Sequence, residues 1–136
     1  MFLSDLTGGE YMKLNHDCVR DLLLTVEESD HNELLSLHFL LQKDKLQSYS
    51  EEDIFYTIQR LVEAGYINAS TQTYYEGQDA IISSITWNGH QFLDNIREKT
   101  VWEKTKEKAS IVGSVSLPIL SELAKAYIAD MLGLKS

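Results

Sequence analysis

A chain of 136 residues with 43% hydrophobic side chains carries enough apolar surface for one compact core. Its formal charge of −9 and isoelectric point near 4.8 argue against non-specific binding to nucleic acid, which needs clustered Lys and Arg to neutralise phosphates. The surplus is local: between residues 12 and 98 the basic side chains Lys13, Arg20, Lys43, Lys45, Arg60 and Arg97 face fifteen acidic ones, so all of the −9 lies where DNA would have to be touched.

Met1 to Tyr11 shows no amphipathic period and contains Thr7-Gly8-Gly9, so residues 1–11 are expected to be a flexible arm. Gly8-Gly9-Glu10 is also what a translated purine-rich ribosome-binding site would encode, which makes Met12 a candidate natural start; an ordinary disordered N-terminus reads the same way. Asn15 is a good N-cap, Asp17 lies in the following turn, and Cys18, Val19, Leu22, Leu23 and Val26 recur at helical spacing, which predicts an amphipathic helix over 15–28. Leu35, Leu37, Phe39 and Leu41 alternate with Ser36, His38 and Leu40, which predicts a short strand, and Lys43-Asp44-Lys45 reads as a charged loop. Ser50 with Asp53 three residues on resembles a capping box. Glu51, Glu52 and Asp53 complement the helix dipole, Ile54, Phe55, Ile58, Leu61 and Val62 form one face, and Gly65 suits the left-handed stop. Residues 66–75 and 80–87 are rich in aromatic and β-branched side chains around Glu76-Gly77-Gln78-Asp79, a hairpin pattern. Asn88 is placed to cap a further helix with Phe92, Leu93 and Ile96 on its apolar side. Residues 100–110 are charged and helix-prone, Gly113 interrupts, and Ser116 with Pro118 opens a last helix. This order predicts an α+β fold: a winged-helix-like domain over 12–98, its hairpin forming the wing, with a C-terminal helical extension over 99–136.

Five stretches resemble the phage-associated family known as domain of unknown function 2513, found in bacterial prophages and mobile elements. They are Met12-Lys13-Leu14-Asn15-His16-Asp17-Cys18-Val19-Arg20-Asp21, Tyr49-Ser50-Glu51-Glu52-Asp53-Ile54, Glu63-Ala64-Gly65-Tyr66-Ile67, the run from Thr86-Trp87-Asn88-Gly89-His90 to Arg97, and Trp102 to Ala109. The resemblance implies a winged-helix-like accessory protein of phage or prophage origin, and it carries over no catalytic or binding residue.

For DNA binding, the helix over 51–64 would present Thr57, Gln59 and Arg60 on its outer face, with Lys99, Lys104, Lys106 and Lys108 as the one basic run, of which the last three are the DNA-contact candidates; the three carboxylates at its head would repel phosphates. DNA reading is therefore the alternative, disfavoured by charge. Catalysis, cofactors and metals are not expected: Cys18 falls on an apolar helix face, His90 and Asp94 form an ordinary i,i+4 pair, and no phosphate-binding glycine loop is present. In the last helix Ile119, Leu120, Leu123, Ala124, Tyr127, Ile128 and Met131 mark an apolar stripe, expected either to fold back on the chain or to serve self-association. With one cysteine, no secretion signal and no run long enough to span a membrane, the expected setting is the bacterial cytoplasm. The function expected is a non-enzymatic, self-associating module that binds another macromolecule, a host or phage protein rather than DNA.

Overall fold

The computed structural model describes residues 13–134, so the N-terminal arm and Met12 lie outside the described residues. The fold is α+β, with helices α1 (His16–Glu28), α2 (Leu37–Leu40), α3 (Glu51–Glu63), α4 (Trp87–Ile96), α5 (Lys99–Ala109) and α6 (Leu117–Met131). Strands β1 (Leu35–Ser36), β2 (Ile67–Tyr74) and β3 (Gly77–Ile85) form an antiparallel sheet in the order β1-β3-β2. Two compact units divide the chain after Gly89, within α4.

In the first unit, α1 starts where Asn15 Oδ1 accepts the Cys18 N–H at 3.1 Å, and α3 starts where Ser50 Oγ accepts the Asp53 N–H at 3.1 Å. Such caps are each worth roughly 1 kcal/mol. Both helices turn apolar faces inward: Cys18, Val19, Leu22 and Leu23 from α1 and Ile54, Ile58 and Leu61 from α3 have no exposed surface. Gly65 ends α3 with φ +78°, the left-handed conformation that glycine adopts without steric cost.

Several local expectations are corrected. The strand foreseen over residues 35–41 is only Leu35–Ser36, paired to Ile82 and Ile81, because Ser36 Oγ then accepts the Phe39 N–H at 3.1 Å and starts a helical turn that buries Leu37 and Leu40. The charged loop holds a 3₁₀ turn, Asp44–Leu46, which buries Leu46. The hairpin is tighter than its polar tip suggested: Tyr74 pairs with Gly77, leaving Tyr75 and Glu76 as the turn. Ladder bonding is a backbone property, so Gln78 and Asp79 continue β3 despite their polarity. Thr86, not Asn88, caps α4: its hydroxyl accepts the Gly89 N–H at 3.0 Å and donates to the Gly65 carbonyl.

In the second unit, α5 and α6 pack on one another. The cap of α5 is Glu98, whose carboxylate accepts the Val101 N–H at 2.9 Å, and α6 is capped by Ser116 with Pro118 in its first turn. Gly113, at φ +92°, separates a short 3₁₀ turn from α6. Asn95 Nδ2 donates to Ser121 Oγ at 2.8 Å. No helix among the described residues is long and apolar enough to cross a membrane.

Two outcomes follow from this packing. A methyl group at Gly89 would strike the Tyr66 carbonyl oxygen and come within 2.7 Å of Ile85 Cγ2, atoms that belong to backbone and a packed strand. Gly89→Ala is expected to destabilise the protein by about 2 kcal/mol or more, read as a lower urea midpoint; an unchanged midpoint would show that the α4 start has room to move. Burial pushes the Cys18 thiol up from 9.0 to about 12. The unfolded chain therefore loses this proton first as pH rises between those values, binds fewer protons than the folded chain, and is favoured. The urea midpoint should fall from pH 8 to pH 10, and a thiol reagent at pH 8 should label native Cys18 more than about 100-fold more slowly than the unfolded chain.

Candidate functional site

Histidine and cysteine chemistry does not converge on one place. Cys18 is sealed in the core, with the Thr57 hydroxyl 3.4 Å from its sulfur. His16 is half-buried, and that burial lowers its pKa against the opposing pull of Asp17. His31, His38 and His90 are exposed and separate, and Asp94 pairs with Arg97 at 2.7 Å. Among the described residues no three His, Cys, Asp or Glu side chains gather as a metal-binding group. The phenol of Tyr49 donates to Asp21 Oδ2 at 2.7 Å, linking the approach to α3 with α1, and burial followed by this carboxylate pushes its pKa up.

The surface of α3 differs from its sequence reading at one residue that matters for DNA binding. Thr57, expected on the outer face, is 1% exposed. It lies in the arc of Ile54, Ile58 and Leu61, and its hydroxyl tolerates burial because it donates to the Asp53 carbonyl one turn back at 2.7 Å. Gln59 and Arg60 are half-buried. The Arg60 guanidinium is engaged twice: Nη2 lies 2.9 Å from Glu63 Oε2, and the group stacks 4.8 Å from the Tyr56 ring. Glu51, Glu52 and Glu63 are left as exposed charges on this helix.

Beside the head of α3, a cleft of about 410 Å³ opens toward α2 and the hairpin tip. Leu37 and Leu41 supply apolar wall, Tyr74 lines it from β2, and Glu51, Glu76 and Asp79 supply carboxylates. Tyr75 at the turn is fully exposed and Trp87 is largely so. The two tyrosines belonged to a β-rich run in sequence, and only the register shows that Tyr75 leaves the ladder.

The second unit holds the remaining candidates. Lys104 lies 3.7 Å from Glu107 and Lys106 lies 3.7 Å from Glu103, so much of the basic run is compensated on its own helix. Lys106 also sits 5.7 Å from the Trp102 ring, and Lys108 is exposed. The α6 stripe divides. Leu120 and Ala124 are buried within the chain, Leu123, Tyr127 and Ile128 are half-buried, and Ile119 and Met131 are exposed. What sequence reasoning missed is the buried face of α5, formed by Val101, Trp102, Thr105 and Ala109, whose i, i+1, i+4, i+8 spacing is helical but was masked by the surrounding charges. Between α5 and α6 lies a cavity of about 580 Å³ lined by Thr105, Ile111, Leu123, Ala126 and Tyr127, with Lys104, Lys108, Glu107 and Asp130 around it.

Comparison with known proteins returns the same resemblance that the sequence carries. A family model described as hypothetical protein (DUF2513) matches residues 13–116. An uncharacterized protein of Haemophilus influenzae is 31% identical over 123 residues, which cover 89% of this chain and 99% of that relative. No solved structure matches. With most of its length under the family model, this chain belongs to the DUF2513 family.

Proposed function

We propose that this protein is a non-enzymatic phage or prophage accessory protein whose first unit is a winged-helix module that binds another protein, and whose C-terminal helices mediate self-association. The phage setting rests on the family resemblance. Support for the winged helix comes from topology: helix, short strand, two helices and a hairpin, with the short strand pairing the hairpin's second strand. The preference for protein over DNA is carried by one observation, the exposed charge of α3. Its free end presents Glu51 and Glu52, its buried side takes Thr57, and its one arginine is held by Glu63 and Tyr56. A helix entering the major groove this way would bring carboxylates to phosphates. A basic protein surface meets the same helix with complementary charge.

Random duplex DNA at physiological salt is expected to bind more weakly than the roughly 10⁻⁴ to 10⁻⁶ M of ordinary non-specific binders, measured by fluorescence anisotropy. Host proteins captured on the immobilised full chain after nuclease treatment should be lost when Glu51→Lys and Glu52→Lys are combined. Micromolar duplex binding that weakens with salt would instead favour a winged-helix transcriptional regulator. Capture that survives the charge reversal would remove α3 from the protein-binding surface.

A further inference from the structure

Resting on the self-association proposed above, we propose that the groove between α5 and α6, rather than the whole apolar stripe of α6, is the surface that receives a second copy of this chain. Leu120 and Ala124 are already buried within a single chain and have nothing to offer a partner. The groove beside them is open, with a volume of about 580 Å³ and apolar walls from Leu123, Ala126, Tyr127 and Ile111, the last 81% exposed.

Thr105 sits at the buried floor of the groove. It is 2% exposed and lines the cavity, yet its hydroxyl oxygen has no hydrogen-bond partner among the described residues. That oxygen is closed to solvent, so the surface the groove offers a partner is its apolar wall.

Charge favours another copy as the occupant. Lys104 and Lys108 stand at the groove with Glu107 and Asp130, two of each sign, so neither a strongly basic nor a strongly acidic partner is matched by it. A contact between identical copies about a two-fold axis requires a patch that is its own complement, and balanced charges around an apolar centre meet that requirement. The same unit also supplies protruding apolar side chains at the end of α6, Met131, Leu132 and Leu134, each more than half exposed.

The test is the oligomeric state of the full chain and its variants by size-exclusion chromatography with light scattering across a concentration series, with circular dichroism to confirm folding. Ala126 is exposed in the single chain, so Ala126→Arg leaves the core untouched while placing a charge in the groove. The wild type is expected to be a dimer or larger even-numbered assembly, and Ala126→Arg to weaken association by about 100-fold, because its long side chain occupies the space that the second copy would enter. Leu123→Glu should do the same, whereas Ile119→Glu, outside the groove, should change it by less than about threefold. A monomeric wild type would overturn both the groove and the self-association on which it rests. An oligomer indifferent to Ala126→Arg and Leu123→Glu, or one that Ile119→Glu dissociates equally, would overturn the groove alone. A monomeric wild type that binds an apolar fluorescent dye, with binding lost in Ala126→Arg, would assign the groove to a different occupant.

Discussion

Helices α1 and α3 meet through side chains that retain no solvent contact, and this packing decides which part of α3 is left for function. Cys18, Val19, Leu22 and Leu23 lie on one side, with Ile54, Ile58 and Leu61 on the other. Fully burying a large aliphatic side chain contributes roughly 1.5 to 3 kcal/mol, so this set dominates any surface ion pair in the unit. Once these residues face inward, the rotation of α3 is set. Thr57 goes into the core beside Cys18, and Glu51, Glu52 and Glu63 go to solvent. The acidic exterior of this helix is thus a consequence of its interior.

The carboxylates at the head of α3 already have a structural use, since negative charge in the first turn is favourable beside the unpaired N–H groups. That use does not require three of them, nor the carboxylates that Glu76 and Asp79 bring to the neighbouring cleft from the hairpin. Their convergence on one side of the unit comes from the pairing of β2 with β3, which carries the turn to the cleft beside α2 and α3. Arg60 cannot offset them for an incoming phosphate without giving up Glu63 and Tyr56.

The second unit solves a different problem. It is built from the end of α4 with α5 and α6, and its buried side chains are few: Phe92, Leu93 and Ile96, then Val101, Trp102, Thr105 and Ala109, then Leu117, Leu120 and Ala124. Ile111, Val112, Met131, Leu132 and Leu134 remain largely exposed, an unusual concentration of apolar surface for so short a segment. A second copy of the chain is the economical cover for it, as proposed above.

By itself the sequence determined the elements whose signals are local. Asn15, Ser50 and Ser116 start the helices they were expected to start, because a short polar side chain at an N-cap needs only the next turn of backbone. Gly65 stops α3 for a reason equally local, and the family resemblance was legible from contiguous stretches. What tertiary structure decided were the choices between locally similar alternatives. The run from Leu35 to Leu41 satisfies either strand or helix; pairing with β3 holds Leu35 and Ser36 extended, and the Ser36 cap with burial of Leu37 and Leu40 makes the rest helical. Thr57 is compatible with either face of a helix, and only the partner helix makes it a core residue. The α6 stripe could not reveal which of its residues its own neighbour would cover, because burial is a property of two surfaces and the sequence displays one at a time.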